Sequence, residues 1–111
     1  MVKLYRKRYL LFKVLSEKSL EKNIIRRSIF ESFQKLFGVL DLSCAKLVFL
    51  EYDKEKNLGI LRCSHTYLDH VRACLAFIRQ INHEKVACFT LRVSGTIKTI
   101  REFKTKLLEK L

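Results

Sequence analysis

A chain of 111 residues has the length for one domain and not for two, and its 49% hydrophobic content with eight Phe argues against wholesale disorder. Twenty-three Lys and Arg against eleven Asp and Glu leave a net charge of +12, so the folded domain repels itself unless a polyanion compensates. Nucleic acid is the commonest such partner, with an acidic membrane surface or an acidic protein as the alternative. No apolar stretch is long enough to span a bilayer.

In chain order, the first feature is the run Lys3, Tyr5, Arg6, Lys7, Arg8 and Tyr9, with no acidic residue before Glu17. Unscreened cations interleaved with rings suit a polyanion whose bases stack. A solvated, partly disordered basic arm over residues 1–8 is the plainer alternative. The segment turns apolar after its basic start, but Lys13 and Glu17 interrupt it and no small-residue cleavage site follows, unlike a secretory signal.

Residues 8–15 alternate, with Leu10, Phe12 and Val14 on one side and Tyr9, Leu11 and Lys13 on the other, which predicts a half-buried strand. Ser16 or Ser19 is placed to cap a helix running to about Leu36, carrying Leu20, Ile24, Ile29, Phe33 and Phe37 at helical spacing, with Gly38 as its stop. Residues 45–52 read as a second strand and LGILRCS as a third, joined by the polar turn DKEKN into an antiparallel hairpin.

A second helix is predicted over about 66–81, burying Tyr67, Leu68, Val71, Cys74, Leu75, Ile78 and Ile81 and turning Asp69, Arg72 and Arg79 outward. NHEK ends it, and residues 85–94 form a fourth strand in which Ala87, Phe89, Leu91 and Val93 alternate with Cys88, Thr90 and Arg92. Thr99 and Glu102 form a capping box for a terminal helix over 99–111, with Ile100, Phe103, Leu107 and Leu111 on one stripe.

The order β-α-β-β-α-β plus a helix predicts an α+β, ferredoxin-like sandwich with an additional C-terminal helix, in a single RNA-binding domain over 1–111. The second strand is apolar on both sides, Leu47 and Phe49 against Val48 and Leu50, so it should be covered on both faces. The terminal helix or a partner protein is the expected cover for the open sheet face.

Two motifs beyond the N-terminus carry chemistry. In Ser94-Gly95-Thr96-Ile97-Lys98 the glycine admits a close ligand and the following helix start offers N–H groups to an anion, with Lys98 and Arg101 adding charge. An ordinary turn needing glycine for a positive φ is the alternative. Cys63, His65, His70 and Cys74 have metal-binding residue types, but Cys74 falls on an apolar stripe and no tight ligand pair exists. The four cysteines sit among apolar residues and are expected to be buried thiols in an intracellular protein.

No nucleophile elbow, P-loop or dinucleotide fingerprint is present. An acylphosphatase-like enzyme would need a glycine-rich phosphate cradle with an arginine where this chain has Ser16-Glu17-Lys18-Ser19. A standard RNA-recognition motif would need exposed aromatics on the third strand, and residues 58–63 have none. Binding should therefore rest on phosphate contacts and RNA shape.

Arg8-Tyr9-Leu10-Leu11-Phe12, Gly59-Ile60-Leu61-Arg62-Cys63, Val71-Arg72-Ala73 and Val93-Ser94-Gly95-Thr96-Ile97-Lys98 together resemble protein component 2 of the archaeal and eukaryotic ribonuclease P. The resemblance implies a non-catalytic subunit of an endoribonuclease whose active site is RNA. That RNA uses Mg²⁺ to remove the 5′ leader from precursor tRNA, and the protein itself holds no cofactor.

The implied partners are ribonuclease P RNA, precursor tRNA indirectly, and protein component 3 in an assembly with two copies of each protein. A membrane is not among them. With the charge pattern, the resemblance marks Lys3, Tyr5, Arg6, Lys7, Arg8, Tyr9, Arg62, Arg72, Ser94, Gly95, Thr96, Lys98 and Arg101 as RNA-facing. It marks Val48, Leu50, Ile100, Phe103 and Leu107 as protein-facing. Eukaryotic members tend to carry longer C-terminal tails, so the end at Leu111 suggests the archaeal form and a cytoplasmic setting, nuclear if eukaryotic. A general RNA chaperone or ribosomal-type protein is the rival reading, and an acylphosphatase-like enzyme a more distant one.

Overall fold

The computed structural model describes residues 6–110. Their elements are β1 (Lys7–Ser16), α1 (Lys22–Ala45), β2 (Val48–Asp53), β3 (Leu58–Ser64), a short 3₁₀ turn (His65–Tyr67), α2 (Leu68–Phe77), β4 (Gln80–Ile81), β5 (Glu84–Ser94) and α3 (Ile97–Glu109). The sheet has five strands in the order β2-β3-β1-β5-β4, and every pairing is antiparallel. Without the two-residue β4, this is the ferredoxin-like βαββαβ arrangement expected from the sequence.

Burial on two sides decides the layers. Leu10, Phe12, Val14, Leu61 and Cys63 project to one face, where Ile25, Ile29 and Phe33 of α1 and Val71, Cys74 and Leu75 of α2 cover them. Leu11, Leu58 and Ile60 project to the other, where Ile100 of α3 covers them. β1 is therefore covered on both faces and not half-buried as its mixed second face suggested. The doubly covered pair is β1 and β3, whose central apolar side chains from both faces reach full burial. β2, the strand expected to be buried twice, is an edge strand with every residue half-buried.

Gly59 shows how tightly this platform is packed. It pairs with Phe12 on one side and Tyr52 on the other, and a Cβ at this position would overlap the Phe12 ring. The bare backbone lets that ring lie across β3, with the Tyr52 ring centroid 6.1 Å away. Between the helices, the buried Ser32 hydroxyl donates to the Cys74 carbonyl at 2.8 Å, while the buried His70 Nδ1, against Phe33 and Phe37 of α1, has no hydrogen-bond partner among the described residues.

Several element boundaries differ from expectation. Neither Ser16 nor Ser19 caps α1. The Glu21 carbonyl accepts from Ile24 and Ile25, because the chain first seats Leu20 in the core before turning into the helix. Gly38 does not stop the helix but kinks it, with φ 91 and ψ 170, and the helix resumes to Ala45 because Leu42 and Ala45 still have core to fill. The second strand accordingly starts at Val48.

α2 ends at Phe77, since Ile78 turns extended. Ile78 and Ile81 keep their burial from extended backbone, which is why their spacing imitated helix. Asn82 and His83, with φ 50 and 69, make the two-residue turn between β4 and β5. The cap of α3 is Thr96 and not Thr99: the Thr96 hydroxyl accepts from the Thr99 N–H at 3.3 Å. Among the described residues no helix is long and apolar enough to cross a membrane.

Candidate nucleic-acid interface

The sheet register brings the separated basic segments together. Tyr9 on β1 pairs with Arg62 on β3 and with Ser94 on β5, and Arg62 pairs in turn with Val48 on β2. Paired residues share a face, so Val48, Arg62, Tyr9 and Ser94 form one row on the α3 side at one end of the sheet. Lys7 lies on that side one step further out, and Arg8 projects to the opposite face, opposite Cys63. Arg6 continues the strand pairing through its backbone. Its N–H donates to His65 Nδ1 at 3.1 Å, and the His65 N–H donates to the Arg6 carbonyl at 2.7 Å.

The charge at this end is unmatched. The ion pairs among the described residues use Lys18, Lys54, Arg101 and Lys104 as cations. Arg6, Lys7, Arg8, Arg62 and Lys98 have no carboxylate at ion-pair distance among those residues. Neighbouring unpaired cations at a strand end create a positive field that a phosphate backbone relieves.

The turn into α3 completes the surface. Gly95 is exposed and does not use a left-handed φ, so the conformational explanation for this glycine fails. A Cβ there would meet only Arg8 Nη1, at an ordinary 3.7 Å. What the missing side chain leaves is open backbone beside a guanidinium. Two amide donors of the turn are already used within the chain: the Thr96 N–H donates to Ser94 Oγ at 3.2 Å, and the Thr99 N–H to Thr96 Oγ1. Side-chain cations, rather than these N–H groups, dominate what the turn offers an anion.

Other expected site residues fall elsewhere. Lys3 and Tyr5 lie outside the described residues. Arg72 is exposed on α2, in the helical layer behind the sheet. Arg101 binds Glu51 at 3.0 Å, which offsets its charge and, with Lys104 at 3.7 Å from the same carboxylate, holds α3 over β2.

Of the residues expected to face a protein, Ile100 is fully buried inside the chain and is core, because α3 itself closes the sheet face. Leu50, Phe103 and Leu107 are half-buried in the same cluster, and Val48 is half-buried on the edge. Sequence reasoning missed Arg92. A register shift leaves Leu91 as an extra residue in β5, so Arg92 pairs with Leu11 on the α3 side, and its guanidinium lies 5.1 Å from the Phe103 ring centroid. Its only signal was a cation in an otherwise apolar stretch.

The candidate metal residues disperse. His65 accepts from Arg6, His70 packs 4.6 Å from the Phe37 ring and 4.7 Å from the Tyr67 ring, and Cys63 and Cys74 are core. Among the described residues no three metal-binding side chains come together. Cys44 is exposed, against expectation, while Cys63, Cys74 and Cys88 are buried. Burial pushes the Cys63 and Cys88 thiols up to about 11 and the Cys74 thiol to about 12. They are inert packing groups and not nucleophiles.

Fold and surface define a class first: a small basic α+β domain, closed by helices on both sheet faces, with a group of free cations where β1 begins and β3 and β5 end. The model of the Rpp14/Pop5 family matches residues 8–105, and the chain belongs to that family. It is 33% identical over 95 residues to ribonuclease P protein component 2 of Pyrococcus abyssi, covering 86% of this chain and 80% of that one.

The protein of the same name from Methanosarcina mazei is 34% identical over 97 residues, covering 87% and 82%. That from Archaeoglobus fulgidus is 35% identical over 93 residues, covering 84% and 83%. Among solved structures, a chain in the cryo-EM structure of yeast ribonuclease MRP superposes with a TM-score of 0.68 over 100% of both chains. At 11% identity, that likeness speaks for the fold alone.

Proposed function

We propose that this chain is a non-catalytic protein subunit of ribonuclease P, which binds and orders the catalytic RNA so that it removes the 5′ leader from precursor tRNA. The observation that carries the reading is the register that sets Tyr9 between Arg62 and Ser94, with Arg6, Lys7, Arg8 and Lys98 near that end of the sheet and no carboxylate at ion-pair distance from these cations among the described residues.

Such a surface acts on RNA by replacing condensed counterions along the phosphate backbone. Fixed strand-end cations define where two RNA segments lie relative to each other, which lowers the repulsion opposing the compact, active fold of the RNA. Phosphate contacts of this kind position without reading sequence. The Mg²⁺ for the cleavage step belongs with the RNA in this reading, and the setting is the cytoplasm. Protein component 3 is the proposed protein partner, in an assembly with two copies of each.

Reconstitution tests the proposal. Precursor-tRNA cleavage is measured with ribonuclease P RNA from the same source alone, with component 3, and with both proteins, at Mg²⁺ low enough that the RNA alone is nearly silent. Activity that needs both proteins is the expected result. No stimulation, with equal binding to unrelated RNAs, would instead favour a general RNA chaperone. Replacing Arg6, Arg8 or Lys98 with Ala should lower the salt slope of RNA binding by about one unit each.

A further inference from the structure

The far end of the same sheet face has different chemistry. Leu58, Phe89, Leu91, Leu107 and Leu108 line an apolar groove of about 230 Å³, with Lys13 and Lys56 at its rim. Beside it, Leu15 pairs with Ala87 and stays 50% exposed, and Phe89 stays 40% exposed. These are the positions where α3 runs out before the sheet does.

The groove borders an open strand. β4 pairs only with Glu84 and Lys85 of β5, and the Val86 N–H donates to the Arg79 carbonyl. From Ala87 to Ser94, β5 has no strand on its outer side among the described residues. A long unpaired edge next to exposed apolar side chains is a template for another strand. Arg92 stands on this edge, Lys13 and Lys56 at the groove, and the chain as a whole carries +12. A second copy would set like charge against like charge, whereas an acidic strand is attracted.

We infer that β5 and the adjoining groove receive an extended segment of another protein, added as a strand, whose groove-facing side carries apolar residues together with Asp or Glu. The strand period sets every second side chain of the added strand on the groove face, so the apolar and the acidic residues occupy positions two apart. The acid on that face answers Arg92 on β5 and Lys13 one strand further in. The inference stands apart from the RNA reading, since it concerns the opposite end of β1 and uses none of the strand-end cations.

Panning a random-peptide phage library against the full chain tests it, with enriched peptides then synthesised and measured by titration and hydrogen exchange. The expected peptides carry Val, Leu, Ile or Phe and Asp or Glu two positions apart and slow amide exchange over Ala87–Ser94. Phe89→Asp should weaken them roughly tenfold or more, by placing a charge at the groove. Phe89 is exposed enough for that variant to fold, which its thermal unfolding by circular dichroism checks.

Four results would overturn the inference: no enrichment, peptides that bind Phe89→Asp equally well, protection confined to another surface, or displacement of the peptides by RNA that protects the same β5 amides. Concentration-dependent dimerisation of the chain alone, lost in Phe89→Asp, would also overturn it by making a second copy the occupant.

Discussion

At one end of β1, Tyr9 stands between Arg62 and Ser94; at the other, Lys13 stands between Leu58 and Phe89. Both rows lie on the face that α3 covers, and three residues of one strand separate them. At the first end a ring sits among polar and cationic groups, and at the second a cation sits among apolar ones. α3 runs from one to the other, starting beside Ser94 and ending with Leu107 and Leu108 against Leu58 and Phe89. The lesson is that one sheet face can host two kinds of recognition when the covering helix seals its centre and leaves both ends open. The net charge does not separate them, because both ends carry lysine or arginine. What differs is whether apolar surface accompanies the cation.

The seal itself is the place to break both ends at once. Ile100→Ala removes the one fully buried residue of α3 and should cost about 2–5 kcal/mol, read as a lower urea midpoint, with RNA binding and groove binding failing together. Loss at only one end would mean that α3 does not hold the two in common. Gly59→Ala forces a Cβ into the Phe12 ring beneath the platform and should cost about 1–3 kcal/mol in the same assay.

Alkaline pH should weaken the platform through its thiols. Burial raises Cys63, Cys74 and Cys88 from the ordinary 9.0 to about 11, 12 and 11. Below pH 9 the thiols are neutral in both states and their burial stabilises fully. Above it the unfolded chain releases protons that the folded chain keeps, so stability falls as pH rises towards the folded values. Urea midpoints should be flat from neutral pH to about 8 and drop beyond 9. A thiol reagent at neutral pH should modify the exposed Cys44 and spare the other three until the chain unfolds.

Smaller changes sharpen the contrast between the ends. Arg62→Ala should lower the RNA salt slope by about one unit and leave peptide binding at the groove to be compared directly with it. Arg101→Ala should change the slope by less than Arg62→Ala, because Glu51 already offsets that charge. Its exposed ion pair contributes about 0–1 kcal/mol to stability. Equal slopes for the two variants would mean that Arg101 leaves Glu51 for RNA.

The strand and helix types were readable because the apolar periods are clean: Leu10, Phe12 and Val14 along β1, Ile29 and Phe33 along α1, where Ile25 rather than the expected Ile24 is the buried neighbour, and Ile100, Phe103 and Leu107 along α3. Boundaries were less so. Thr96 and Thr99 are both plausible caps, and only the placement of the turn at Ser94 selects the first. Gly38 is an equally good stop or kink, and the buried Ala45 beyond it decides for the kink. Of the candidate site, the three basic segments were visible as charge without nearby acid, whereas Arg92 was not, because its face depends on the extra residue in β5.

The α+β order, the need for core on both sides of a strand and the excess of cations at the first strand and the turn before α3 follow from local patterns of side-chain type alone. The tertiary structure decided which cations are neighbours, that Ile100 is core and not interface, and that the sheet face is sealed at its centre and open at both ends. The physical reason is register: a one-residue slip turns every side chain of a strand to the other face, and the register shifts at Leu50 and Leu91 are fixed by pairing across the sheet and by packing against α3, not by any pattern within a single strand.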